Sequence, residues 1–300
     1  MSPKRLLALG PSEGWHADQL RAAASRHGFE LAYADYESLT GSFDASGRCV
    51  TRCAAGDLTK FEAVICRTMP TGSMEQVLFR LAVLHSAQGI GVRIINPPRT
   101  LELAIDKYTT LAVVASLGIP VPQTVVVQSR SDAMRAFEAL GGDVVVKPIF
   151  GGEGRGVMRV RDAQLAWTTF STLQQLAAAI YVQRFVPPGG QDTRMLVLGD
   201  EIVGIRRTAV NDFRTNVAGG ATCQAVTLDE SQIAMARRIA TSMNLRIGSI
   251  DVLDHNQGPP LVLEVNGVPG WKGAQGSVPF NIADKMIAAV LYGQPCTSNA

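Results

Sequence analysis

Ile247-Gly-Ser-Ile-Asp-Val-Leu253 is followed, after a short polar interval, by Leu261-Val-Leu-Glu-Val-Asn266. Both stretches read as apolar strands, and each carries an acid where a core residue belongs. An ionised carboxylate is costly to bury without a cation or several donors. Side chains alternate faces along a strand, so Glu264 and Asn266 point the same way, and in a hairpin Asp251 joins them. The set offers oxygen, with no imidazole and no thiolate. It suits Mg²⁺, a hard cation that completes its shell with water and phosphate. An acid satisfied by arginine, with Glu264 at a strand end facing water, is the other reading of the same residues.

Cations lie upstream. Lys147 ends the buried run Val144-Val-Val and precedes Gly151-Gly-Glu-Gly-Arg-Gly156. Glycines let backbone N–H groups approach an anion, and such a loop can close over phosphates, although a hairpin turn would use the same residues. The loop has neither the terminal Gly-Lys-Ser/Thr of a phosphate loop nor a dinucleotide fingerprint. Arg194, Arg206, Arg207 and Arg214, with Asn216, recur on short strands and can clamp carboxylate or phosphate through paired donors. With Lys107 and Lys147 they balance a triphosphate and an anionic substrate.

The whole chain supports a folded enzyme better than its rivals. Its 300 residues are 46% hydrophobic and 18% charged, with a net charge of +2. That near-balance excludes a nucleic-acid-coating polymer, and Trp15, Trp167 and Trp271 are too dispersed for a base-stacking platform. The apolar runs Leu111–Leu117 and Ile247–Leu253 fall far short of the ~20 residues that cross a bilayer. Cys49, Cys53, Cys66, Cys223 and Cys296 read as reduced thiols, which places the protein in the cytoplasm. His16, His27, His85 and His255 have no catalytic spacing, and the chain lacks a Gly-x-Ser-x-Gly elbow, a zinc-type His pair and a kinase signature.

Strand–helix alternation over the first hundred residues predicts an α/β unit with a parallel sheet. Glu37–Asp57 reads as a polar surface excursion. A helical pattern after Pro97-Pro98 runs to Leu117 and ends at Gly118-Ile-Pro-Val-Pro122. A small α+β unit follows, then thicker strands that include Phe213–Val217. The expected domains are 1–98, 99–186 and 187–300.

The order of motifs resembles the ATP-grasp superfamily, and within it the RimK-type α-L-glutamate ligases. The resemblance rests on Asp106-Lys107, Val145-Val-Lys-Pro148 with its glycine loop, Val182-Gln-Arg-Phe-Val186 and Asp192-x-Arg194. Phe213-Arg-Thr-Asn-Val217 and Glu264-Val-Asn-x-x-Pro-Gly270 complete it. It implies an ATP-grasp fold: an N-terminal parallel-sheet domain, an α+β lid and a C-terminal sheet, with ATP between the last two. Lys107 and Lys147 would contact nucleotide, with Gly151, Gly152, Gly154 and Gly156 closing over the phosphates. Gln183, Arg184, Phe185 and Val186 would form the hinge that reads adenine through backbone groups, and Asp192 would lie beside the ribose, near Arg194. Arg206, Arg214 and Asn216 would hold the transferring phosphate and the acyl carboxylate. Asp251, Glu264 and Asn266 would bind Mg²⁺, as two ions, with Mn²⁺ as a substitute.

The implied reaction joins a small-molecule carboxylate to an amino acid through an acyl phosphate, in a homodimer or homotetramer without nucleic acid or membrane. Arg184 stands where relatives carry glutamate, and Ala218 is small where several are larger. Trp271-Lys-Gly273 is unlike the ribosomal-protein modifiers and favours an acceptor such as a tetrahydromethanopterin-type coenzyme. The rival readings are glutamylation of a protein, a phosphotransferase, and a nucleotide-binding regulator without turnover.

Overall fold

The chain opens with β1 (Lys4–Leu9), α1 (Trp15–Arg26) and β2 (Phe29–Ala34). It then forms a small antiparallel sheet from β3 (Thr40–Phe43), β4 (Cys49–Cys53) and β5 (Gly56–Asp57). Next come β6 (Ala63–Cys66), α2 (Met74–Gly89) and β7 (Ile94–Ile95). Strands β2, β1, β6 and β7 lie in that order and pair in parallel, as the alternation predicts. The stretch 37–57 is not the bare excursion expected from its polarity. On β4, Thr51 and Cys53 are buried while Arg52 is exposed, the two-residue period of a strand with one covered face. The structure is a computed structural model that describes residues 4–152, 154–216, 219–253 and 258–292; Val217, Ala218, His255 and Cys296 lie outside them.

Pro98 starts α3 (Pro98–Ile105). The helix expected to run on to Leu117 breaks at Asp106, whose carboxylate accepts from the N–H groups of Tyr108 and Thr109 at 2.9 and 3.1 Å. That cap starts a new helix, α4 (Lys107–Ser116), with Lys107 in its first turn. Val114 of α4 and the following Ile119 pack with Met195, Ile250 and Val265. By packing, the beginning of the 99–186 stretch therefore rests on the C-terminal sheet rather than in the lid.

The lid sheet is built from β8 (Thr124–Val127), α5 (Arg130–Ala139), β9 (Val144–Lys147), β10 (Met158–Val160), α6 (Ala163–Gln175) and β11 (Ile180–Arg184). Its strands run antiparallel in the order β10-β9-β11-β8, and Phe137 and Phe170 of the two helices cover one face. The C-terminal sheet has β12 (Gln191–Leu198), β13 (Glu201–Thr208), β14 (Thr222–Val226), α7 (Glu230–Ser242), β15 (Ile247–Leu253) and β16 (Leu261–Asn266). Its antiparallel order is β14-β13-β12-β15-β16. Phe213–Asn216, expected as a strand, is a turn: Asp212 Oδ1 accepts the Arg214 N–H at 2.8 Å and folds the backbone back on itself.

After α8 (Lys272–Gln275), α9 (Ile282–Tyr292) closes the chain. Its Met286 and Ile287 share one core with Leu6 and Ile65 of the N-terminal sheet and Leu196 and Ile205 of the C-terminal sheet. The two sheets are thus held against each other by a common apolar seam. Among the described residues, no helix is long and apolar enough to cross a membrane.

Asn96 pins this seam. Its amide donates to the Ile247 and Gly267 carbonyls at 2.6 and 2.7 Å, and its oxygen accepts from the N–H groups of Arg246 and Ile247 at 2.9 and 3.0 Å. Asn96→Ala orphans these buried backbone groups. At ~1–3 kcal/mol for each, the expected loss is roughly 4 kcal/mol or more, seen as a lower urea midpoint with the slope unchanged.

Candidate active site

The C-terminal sheet carries its charges on one face. Asp192 stands opposite Arg207, Arg194 opposite Asp251, Asp251 opposite Glu264, and Ser249 opposite Asn266. Directly opposed residues share a face, so this register brings the acids and two arginines together. Arg206 is displaced by one residue and faces the other side. It opposes Thr193 on β12 and does not line the cleft, which corrects its expected place at the transferring phosphate. Arg207 occupies the cleft instead.

Arg207 is shared between two acids. Its Nε and Nη2 donate to Asp192 at 2.8 and 2.5 Å, and Nη2 also donates to Asp251 Oδ2 at 2.8 Å. Arg194 holds Asp251 with a second fork, at 2.8 and 2.7 Å. All but Arg194 are nearly inaccessible: Asp192, Asp251 and Arg207 are 1%, 1% and 5% exposed. Burial favours a neutral acid, yet the two guanidinium groups hold the Asp251 carboxyl well below the ordinary range. Asp192, with a share of one arginine and the Asp251 carboxylate beside it, is pushed up, burial being the main cause. The same acids raise Arg207 against the effect of burial, which fixes its positive charge.

Asp192, expected beside the ribose, does line the cleft, but as a support. Its oxygens are taken by Arg207 and by the Thr215 hydroxyl at 2.5 Å, so it positions Arg207 and the 213–216 turn. Arg194 is likewise a partner of Asp251 and does not line the cleft. Asp251 is no open metal ligand either. A carboxylate offers about four acceptor sites, and the arginines occupy three of those of Asp251. Glu264 and Asn266 share its face, with the Asn266 amide donating to Glu264 Oε1 at 3.2 Å. Two hard oxygen donors with Asp251 behind them fit Mg²⁺, which takes its remaining ligands from phosphate and water. Among the described residues no group of three or more His, Cys, Asp or Glu side chains is placed to hold a metal ion by itself, so phosphate and water would have to complete the shell.

The lid faces this surface across a cleft of ≈ 890 Å³, counting its open mouth. Lys147 ends β9 and is buried, its ammonium 5.2 Å from the Tyr181 ring centroid. Burial and the neighbouring Lys107 push it down to about 8, although Glu264 and Asp251 act the other way. Lys107 is also lowered by burial, and its ammonium donates to the Gly151 carbonyl at 2.5 Å. That bond draws the glycine loop onto α4. The loop also meets the 213–216 turn: Gly154 has φ +69°, and a Cβ there would overlap the Asn216 carboxamide. Only glycine permits both. Gly151, Gly152, Gly154, Arg214 and Asn216 line the cleft, while Gly156 and Asn266 do not.

At the hinge, Gln183, Arg184, Phe185 and Val186 line the cleft. The Arg184 N–H is committed to the Gln123 carbonyl at 2.9 Å, so Arg184 can address a base edge only through its own carbonyl. The Gln183 amide donates to Thr124 Oγ1 and Tyr181 OH at 2.9 and 3.0 Å, which ties β11 to β8. Arg214 is exposed and forks onto Asp212 at 2.8 Å, a partner it can exchange for a ligand at the cleft wall. Arg155, Arg207 and Thr215 are the polar cleft residues that the expected binding set left out. The available signal was the period of two through Asp192 and Arg194, which puts two charges on one face of a buried strand.

Removing Arg207 leaves Asp192 buried beside Asp251 with the Thr215 hydroxyl as its remaining donor. Arg207→Met is expected to cost ~3–5 kcal/mol, against about 1 kcal/mol for Arg206→Met, in urea unfolding. Asp251 also sets the acid limb. Its folded pKa lies below its unfolded value of about 3.9, so its stabilisation is full above that value and is lost as pH falls towards the folded one. Asp251→Asn should flatten the loss of stability below about pH 4.

Known proteins resemble the chain in sequence and in fold. Residues 104–290 match the RimK-like ATP-grasp domain. The chain is 28% identical to the tetrahydromethanopterin:alpha-L-glutamate ligase of Methanosarcina acetivorans, covering 94% of this chain and 96% of that protein. It is 30% identical to a probable alpha-L-glutamate ligase of Legionella pneumophila, covering 98% and 97%. The solved ATP-grasp ligase PsnB, complexed with a phosphomimetic variant of its minimal precursor, Mg and ADP, superposes with a TM-score of 0.72 at 19% identity, over 96% of this chain and 98% of that one. The fold, the cleft between lid and sheet, and the match over the greater part of its length place this chain in the RimK-like ATP-grasp family.

Proposed function

We propose that the protein is an ATP-dependent carboxylate–amine ligase that adds L-glutamate to a small-molecule acceptor through an acyl phosphate. The observation that carries this reading is the meeting of two charge sets in one cleft: Lys147 from the lid and Lys107 from the start of α4, with Asp251, Glu264 and Arg207 on the C-terminal sheet. Such a pairing suits a nucleoside triphosphate better than a neutral ligand. The names of the glutamate ligases in Methanosarcina and Legionella support glutamate as the amine.

A carboxylate resists attack by an amine because its carbonyl is electron-rich and oxide leaves poorly. Attack of a carboxylate oxygen on the γ-phosphorus breaks the bond to the β–γ bridging oxygen and releases ADP. The amine nitrogen then attacks the acyl carbon, phosphate departs with the bonding pair, and the nitrogen loses its proton to water. Lys147 and Lys107 neutralise phosphate oxygens during the first step, and Arg207 holds a fixed positive charge beside them. Arg214 is placed to release Asp212 and take the transferring group. Glu264 and Asn266, with Asp251 behind them, would hold Mg²⁺ (two ions, or Mn²⁺ in their place), which would supply charge neutralisation for the phosphates. Hinge carbonyls at Arg184 read the base edge. The glycine loop, held by Lys107 and resting on Asn216, keeps water from the acyl phosphate.

The test of turnover is mass spectrometry of products formed from cell extract, ATP and labelled L-glutamate. A labelled mass increase on a small molecule, lost with Glu264→Ala, is the expected result; ATP binding without any labelled product would favour the regulatory reading. Binding has its own signature. Lys147, pushed down to about 8, must regain its proton to meet phosphate. Nucleotide binding at pH 8 should therefore take up roughly half a proton, and affinity should fall as pH rises above that value. Calorimetry in two buffers of different ionisation enthalpy measures the uptake, which Lys147→Met should abolish.

A further inference from the structure

The N-terminal sheet runs β2-β1-β6-β7, so the chain reverses its winding between β1 and β6. Open sheets of this kind take ligands beyond the carboxyl ends of the strands that flank the reversal. Arg67 sits there, directly after β6, with its N–H bonded to the Leu9 carbonyl of β1 at 2.8 Å. It is 8% exposed, and no carboxylate pairs with it among the described residues. Its Nη2 donates to the Pro269 carbonyl at 3.2 Å, and its guanidinium lies 4.9 Å from the Trp271 ring centroid. Burial lowers its pKa to about 10. A guanidinium has five donors, so most of this one's capacity is left over.

Trp271 adds a second unsatisfied donor. It is 1% exposed, and its indole Nε1–H has no hydrogen-bond partner among the described residues. His16 fixes the turn that carries it, accepting the Trp271 backbone N–H on Nε2 at 3.3 Å and meeting the ring edge-on at 4.5 Å. Buried donors without partners are costly. Here a buried cation from the end of β6 and a buried indole from the stretch that leaves Asn266 meet in one place.

We infer that Arg67 and the Trp271 indole form the seat of a non-reacting substrate carboxylate. A carboxylate matches the guanidinium fork, can accept the indole N–H as well, and its single charge cancels that of one arginine. A phosphate dianion would leave a negative charge buried. This assignment rests on the ligase reading and deepens it: the carboxylate belongs either to L-glutamate or to the acceptor.

The test is titration calorimetry of the full chain loaded with Mg²⁺ and a non-hydrolysable ATP analogue. One probe is L-glutamate. The other is N-benzoyl-L-glutamate, whose blocked amine leaves it only the acceptor's role. Arg67→Met should weaken one probe by roughly tenfold or more, and Trp271→Phe by roughly three- to tenfold, with analogue affinity unchanged. The probe that weakens names the source. Trp271→Phe keeps the ring and its stacking, and decides the matter if Arg67→Met does not fold. Binding of neither probe by the wild type, or equal binding by wild type and variants, overturns the seat. If ADP release fails with every acceptor while probe affinity still depends on Arg67, the ligase reading falls and the seat stands.

Discussion

One guanidinium shared by two buried carboxylates organises the catalytic face. Arg207 reaches Asp192 with both arms of its fork and Asp251 with one, while Arg194 completes the charge balance on Asp251. Two cations and two anions leave the cluster neutral, which is the condition for tolerating it in a low-dielectric interior. Replacing all four charged residues together by apolar ones of similar volume would leave the fold about as stable, whereas removing one would not. What the network adds is position. It aligns β12, β13 and β15 at the level of the cleft and anchors the 213–216 turn through Thr215.

That anchored turn carries the order across to the lid. Asn216 rests against Gly154, so the glycine loop closes onto a surface whose place is set by the buried ions beneath it. From the other side Lys107 draws in the loop by its bond to Gly151, and Asp106 has already fixed Lys107 by capping α4. The glycine loop that lines the cleft is thus held from both sides. Loops of low intrinsic order suit this duty because they can open without breaking a core.

The N-terminal sheet is more than a neighbour to this machinery. Met286 and Ile287 of α9 bind it to the C-terminal sheet through a continuous apolar seam, and Asn96 ties it to both flanks of the metal-side strands. The stretch from Asn266 to Trp271 leaves the candidate metal ligands and packs against His16 and against Arg67 at the end of β6. The candidate metal ligands and the Arg67–Trp271 contact are separated by only a few residues of chain.

The sequence by itself determined which chemical groups the cleft would hold. Lys147 after a run of valines, a glycine loop behind it, and acids inside two apolar strands are local anomalies, each legible from the cost of burying charge. The parallel N-terminal sheet was equally legible from strand–helix alternation. Only the tertiary structure decided the partners. Arg206 and Arg207 are indistinguishable as adjacent letters, and a one-residue choice of register sends one into the cleft and the other to the opposite face. Asp192 and Arg194 gain a supporting role that their own strand does not show, because their partners come from other strands. Asp106 ended a helix that periodicity extended, because its side chain found backbone N–H groups to cap. Trp271 and Arg67 lie 4.9 Å apart in space with about two-thirds of the chain between them, a proximity that no local pattern encodes.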